Sequence, residues 1–180
     1  MLVISSCLKY QPMTLEKRAY WGTIFLTDGY YFRGRTISNS DTSKSDVTTT
    51  LVFFRNGMLL TKSFVDVELD SIDIELSSMQ SSRDFLEGVG FYQVSENKIV
   101  MEYWANASYF PIPTATATAL ILNDSTLKSD ILGHYENDIW KFRPLAVKPD
   151  STTLFDEQLE KGEPIRRTRS GQAVSDRMEP

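Results

Sequence analysis

Two scarce residues bound the chemistry open to this chain. Among its 180 residues there is one cysteine, Cys7, and one histidine, His134. A single cysteine excludes an intrachain disulfide, so the core alone must hold the fold. The pair also falls short of a zinc site of the Cys/His kind, which needs four such ligands when structural and usually three when catalytic. A serine triad would have to use His134, in Gly133-His134-Tyr135-Glu136, and no Gly-x-Ser-x-Gly elbow occurs anywhere. His134 reads as a surface or capping residue in a turn before the last strand. A catalytic thiol wants a positioned base and a lowered pKa, and Cys7, close to a terminus, has neither assured.

Carboxylates are more plentiful. Asp66, Glu68 and Asp70 alternate along one stretch, with Asp73 and Glu75 close behind. Calcium takes roughly 6–8 oxygen ligands, but the Asp-x-Asp-x-Asp-Gly spacing of a calcium loop is missing. These acids read as a solvated edge that discourages aggregation. A carboxylate-dependent hydrolase, the third functional reading, would need two acids opposed across a cleft. Neither Gly-x-x-x-x-Gly-Lys nor Gly-x-Gly-x-x-Gly is present. Arg166, Arg167 and Arg169 form a basic cluster balanced by nearby acids, and read as solvated. The expectation is a chain with no catalytic residues, no cofactor and no metal.

Aromatic residues are the one group with the character of a binding site. Trp21, Tyr30, Phe32, Phe91, Tyr103, Trp104, Tyr109, Phe110 and Trp140 fall on or beside expected strands. Core packing is the default role for any one of them. The segment 103–113 stands apart, because Tyr103, Trp104, Tyr109 and Phe110 sit among small residues and two prolines. That segment is expected to rim the mouth of a barrel. Ala115, Ala117 and Ala119 would leave room beneath it.

These side chains must be positioned by strands. Val47–Arg55 is almost wholly β-branched or aromatic, Asn56-Gly57 supplies a type I′ turn, and Met58–Val67 returns. A two-residue turn pairs Phe54 with Leu59, Phe53 with Leu60, and Leu51 with Lys62. One face then collects Leu51, Phe53, Met58, Leu60 and Phe64, and the other Val52, Phe54, Leu59 and Val65. Both faces are apolar near the turn, so each needs a cover. Trp21–Thr27 and Tyr30–Ile37 read as strands joined by Asp28-Gly29. A bend is expected near Leu69–Ser71, then a half-buried strand over Ser71–Ser77 and a helical turn over Ser81–Glu87. Gly90–Ser95 and Lys98–Trp104 form a second hairpin about Glu96-Asn97. Thr114–Leu122, Thr126–Ile131 and Ile139–Leu145 complete the set. About eight to nine strands, short turns and no long helix specify an all-β antiparallel meander closed into a barrel, or alternatively a two-sheet sandwich. Crossover helices are missing, which excludes parallel βαβ units.

The chain divides into residues 1–20, a region of lipid attachment and tether; 21–154, the barrel; and 155–180, a charged tail expected to be disordered. Ile4-Ser5-Ser6-Cys7 has the form of a bacterial lipobox, with Cys7 as lipid acceptor. A full signal needs a basic segment and an apolar run of about 7–15 residues. Only Leu2, Val3 and Ile4 stand here, as a start codon placed too late would give. A net charge of −5 with mixed signs argues against nucleic acid. No apolar run approaches the roughly 18–20 residues of a membrane-spanning helix.

Four stretches together resemble a class of small cell-envelope lipoproteins of Gram-negative bacteria with lipocalin-like barrels. They are Leu51–Gly57; Gly90–Val94 with Lys98–Glu102; Trp140–Leu145; and Lys148–Thr152. The resemblance spans roughly residues 50–152 in the expected order. It implies a small antiparallel barrel of lipocalin type on a lipid tether, located in the outer membrane or periplasm. A coincidental lipobox would leave the chain in the cytoplasm instead. Three functions follow as expectations: a non-catalytic lipoprotein that binds a small apolar ligand or presents surfaces; an interaction or assembly module that uses the second apolar hairpin face; and the hydrolase above.

Overall fold

A computed structural model describes residues 7–8, 11–38, 44–79, 88–105, 111–129, 138–149 and 165–166. Its strands are β1 (Cys7–Leu8), β2 (Gly29–Ser38), β3 (Lys44–Phe53), β4 (Met58–Val65), β5 (Val89–Ser95), β6 (Lys98–Trp104), β7 (Thr114–Asn123), β8 (Thr126–Ser129), β9 (Asp138–Pro144) and β10 (Ile165–Arg166), with helix α1 (Leu69–Ser78) between β4 and β5. Strands β2 to β9 form a closed antiparallel barrel in sequence order, and β9 pairs back onto β2. The all-β, antiparallel, closed meander expected from the sequence is therefore the fold. The sandwich alternative is not. Strands β1 and β10 pair with each other, Cys7 opposite Arg166 and Leu8 opposite Ile165.

Closure gives every strand an inside and an outside, read by alternate residues. Tyr31, Arg33 and Arg35 of β2 face inward, and register carries that parity across Leu51, Thr49 and Val47 on β3 and Thr61, Ser63 and Val65 on β4. Met101 then joins Tyr92 to Ala117, and Leu127 joins Ile121 to Trp140. The inner cluster holds Phe25, Tyr31, Phe53, Tyr92, Met101 and Trp140. An outer cluster holds Tyr30, Val52, Leu60 and Phe64 under Ile72, Leu76 and Met79 of α1 and the segment after it.

The β3–β4 register corrects the expected one. Phe53 pairs with Leu59, Val52 with Leu60 and Leu51 with Thr61. The loop has three residues, Arg55-Asn56-Gly57, with Gly57 N–H donating to Phe54 O and Phe54 N–H to Met58 O, each at 2.9 Å. Only Gly57 among them has a positive φ, 89°. This is the three-residue hairpin with a glycine bulge, not the type I′ turn, which would need a positive φ at both central residues. A slip of one residue exchanges the faces of one strand relative to the other. Leu59 turns in with Phe53, while Met58 and Leu60 turn out with Val52.

Three further expectations are overturned. Residues 11–28 contain no strand, and Gly29 simply begins β2. The segment 71–77 is helical: Ile72 and Leu76, four apart, are fully buried while Ile74 is 72% exposed. That is the helical period, and the alternation of Ile72, Ile74 and Leu76 matched both templates. The bend falls earlier than Leu69–Ser71, at Asp66 (φ 55°), where Asp66 N–H donates to Asp46 O and Asp46 N–H to the Asp66 carboxylate, each at 2.8 Å. The Glu96-Asn97 hairpin is present as expected, with Ser95 opposite Lys98.

Candidate functional site

The two ends of the barrel differ in their connections. One carries the tight β3–β4, β5–β6 and β7–β8 turns. The other carries the longer β2–β3, β6–β7 and β8–β9 connections and the departure into α1.

Residues 20–27 cross the turn end. Tyr20 N–H donates to Arg55 O at 2.7 Å and Leu26 N–H to Asp124 O at 2.9 Å, which spans the opening. Phe25, 2% exposed, enters as a plug. Its ring lies 5.2 Å from Phe53 and 6.1 Å from Tyr92, both edge-on, and Phe53 meets Tyr92 at 5.0 Å. Tyr31 OH donates to Asp124 O at 2.6 Å. Burial raises the pKa of the Tyr31 and Tyr92 phenols, so these groups stay protonated. Lys148 closes the rim. Its ammonium donates to Thr27 O and Phe53 O and sits 4.6 Å over the Phe54 ring. Burial lowers its pKa to about 8.

The loop-end half is built differently. Inward positions there are Val47 and Thr49, Ser63 and Val65, Tyr103, Ala115, Ser129 and Asp138, with Arg33 and Arg35. The Arg33 side chain is 6% exposed, pairs with Asp138, and stacks 5.0 Å from the Trp140 ring. Thr49 and Ser63 hydroxyls bond at 3.0 Å. Trp140 is fully buried, and its indole N–H has no acceptor among the described residues; Arg35 Nε is likewise buried without one. Buried donors are ordinarily satisfied, so both stand out. Val65 faces inward yet is 56% exposed, and Ser63 is exposed as well. Strand β4 pairs with β5 over Met58–Leu60, and Ser63 and Val65 lie beyond the end of that ladder. Inward positions of the described strands carry two guanidinium groups and one carboxylate.

Of the residues expected to bind ligand, Tyr103 and Trp104 are described, and they lie on opposite faces of β6. Tyr103 points inward, 4% exposed, and burial raises its pKa. Its neighbour Trp104 points outward, as strand alternation requires. Trp104 packs in the outer cluster and donates from its indole to Gln11 O at 2.8 Å. The two cannot line one cavity. Tyr109, Phe110 and His134, the segment 81–87, Arg167 and Arg169 lie outside the described residues, as does all of 155–180 apart from β10.

The outer face of the β3–β4 hairpin is covered by α1 and by Met13 and Leu15. Glu102, 2% exposed and outward, holds that amino-terminal strap by accepting from Thr14 N–H at 2.8 Å, Leu15 N–H at 2.6 Å and Thr14 Oγ1 at 3.1 Å. Arg143 on β9 clamps α1 by donating Nε and Nη2 to Asp73 and Nη2 to Asp70. Tyr30 OH adds a bond to Asp73 at 2.8 Å. Burial opposes ionisation of Asp73, but the bonds from Arg143 and Tyr30 outweigh it and hold the carboxyl below its ordinary range. Of the acids singled out in the sequence, Asp70 and Asp73 thus serve helix docking, and among the described residues no group of three metal-ligating side chains gathers. Among the described residues no pair of carboxylates faces across the barrel, because Asp138 is the only one there on an inward strand position.

No helix among the described residues is long and apolar enough to cross a membrane. The fold and site define a closed eight-stranded antiparallel barrel with a plugged end and a polar, basic opposite half, an architecture consistent with a lipocalin-like barrel. No protein-family model, curated protein or solved structure matches the chain.

Proposed function

We propose that this protein is a non-catalytic, lipocalin-like binding barrel of the cell envelope that holds a small apolar molecule at its loop end. The supporting observation is the asymmetry of the interior. Aromatic rings and the Phe25 plug fill the turn end, while inward positions near the loop end include Thr49, Ser63, Ser129, Arg33 and Arg35, with Ser63 and Val65 exposed to solvent. Binding sites in barrels favour a mouth of this kind. The interaction-module alternative needed an uncovered apolar face on the hairpin, and that face lies beneath α1 and the strap. The hydrolase alternative lacks its opposed acids among the described residues.

A lipid on Cys7 fits the same geometry. Gln11 is fixed at the loop end by its N–H to Ile112 O at 2.9 Å and by Trp104. Cys7 stands four residues earlier, within about 14 Å of extended chain. A lipid there would tether the barrel with its mouth toward the bilayer. Two measurements test the proposal. Fluorescence titration with the neutral dye N-phenyl-1-naphthylamine is expected to saturate at one site per chain; no saturable binding refutes the ligand reading. Radiolabelled palmitate is expected to label the product of the gene, expressed with its upstream in-frame codons, and not the Cys7→Ala variant. An unlabelled wild type refutes the anchor.

A further inference from the structure

We infer that the molecule bound at the loop end carries an anionic group, a carboxylate, sulfonate or phosphate, on its apolar body, and that Arg35 and the Trp140 indole N–H receive it. This rests on the reading of the barrel as a ligand carrier and specifies which ligands it takes.

Charge on the inward positions of the described barrel strands is unbalanced. Arg33 is matched by Asp138, with the Trp140 ring against its guanidinium. Arg35 lies two residues further along the same strand, on the same side, one step nearer the mouth. No second inward carboxylate answers it on the described strands. The Arg35 Nε–H is buried with no acceptor among the described residues, a costly arrangement that an anionic ligand would relieve. The indole N–H of Trp140 is an independent indication. It is fully buried inside the barrel and lacks an acceptor among the described residues. An indole nitrogen only donates, so an oxygen-bearing guest is the partner it lacks. Thr49 and Ser63, facing Arg33 across β3 and β4, add hydroxyls to the same wall. The apolar body would rest against Val47, Val65, Tyr103 and Ala115. Asp138 is engaged with Arg33, so Arg35 sets the sign of the preference.

Two dyes with one skeleton separate the ideas. N-phenyl-1-naphthylamine is neutral, and 8-anilinonaphthalene-1-sulfonate is the same molecule bearing a sulfonate. Wild-type protein is expected to bind the anionic dye at least about tenfold more tightly, the scale of one hydrogen bond to a charged group. Arg35→Gln should abolish that preference and leave the neutral dye unaffected; Arg35→Lys should restore most of it. Far-UV circular dichroism and the melting transition confirm that each variant is folded. If neither dye binds, the carrier reading itself fails. If both bind wild type equally, or Arg35→Gln weakens both alike, the carrier stands and the anionic specificity is overturned.

Discussion

Lys148 offers a quantitative test of the plugged end. Its ammonium is held among Thr27 O, Phe53 O and the Phe54 ring, and burial lowers its pKa from 10.5 to about 8. Below the folded-state value the group is charged in both states, and the fold bears the full burial cost. That cost is on the order of 3 kcal/mol, from about 1.4 kcal/mol per tenfold. Between about 8 and 10.5 the unfolded chain binds more protons than the native one, so stability rises with pH across that window. Linkage gives a gain of about 2 kcal/mol from about pH 7 to about pH 9.5. The buried phenols have raised pKa values and act oppositely, losing stability as pH rises past their ordinary value of 10.0. The measurement therefore stops short of that region. Urea unfolding at several pH values, for wild type and Lys148→Met, isolates the lysine because the tyrosines contribute equally to both. The difference in unfolding free energy should grow in favour of wild type by about 2 kcal/mol across the window. Parallel pH profiles would refute the burial argument, and with it the seal at the rim.

Other elements give sharper local tests. Ile72→Ala should cost about 2–5 kcal/mol in chemical denaturation, whereas Ile74→Ala should stay within about 0.5 kcal/mol; equal costs would contradict the helical face. Glu102→Ala leaves the Thr14 and Leu15 amides without their acceptor. Hydrogen exchange should accelerate at residues 13–16 while β6 and β7 amides keep their protection, with a loss of about 1–3 kcal/mol. Gly57→Ala sets a side chain at φ 89° with its Cβ driven against the Arg18 carbonyl oxygen. A destabilisation above about 1 kcal/mol is expected from the melting shift, and an unchanged melting temperature would count against the three-residue loop.

Hydrophobic period made much of the barrel legible, and its limits explain the misreadings. Strands β3, β5, β6 and β7 carry β-branched or aromatic runs bounded by turn residues, so their existence followed from composition and period. The Asn56-Gly57 signal marked the hairpin correctly but fitted two loop lengths, which differ in whether Asn56 takes a positive φ. That choice depends on Phe54 bonding Met58, a contact no local propensity encodes. At Ile72, Ile74 and Leu76 the three apolar positions satisfied both the strand and the helix template. Docking decided between them, because Arg143 and Tyr30, about 70 and 43 residues away in sequence, meet Asp73 only when the segment is helical.

The site was harder to read, for a physical reason. In a barrel with a second layer outside, both faces of a strand are buried, so an apolar residue does not declare its side. Tyr103 and Trp104 are both nearly buried, and they serve opposite faces. Polar residues carry the missing information. Tyr31, Arg33 and Arg35 share one parity on β2, against Tyr30 and Phe32 on the other. A guanidinium on the same side as a core tyrosine already implied either a buried ion pair or a ligand. Arg33 takes the first role, with Asp138, 105 positions away. The sequence separation hid that pair, and without it the second arginine carried no meaning. Once the pair is closed, Arg35 is the charge left over on the described inward positions, and on the proposed reading it is the residue an anionic ligand would answer.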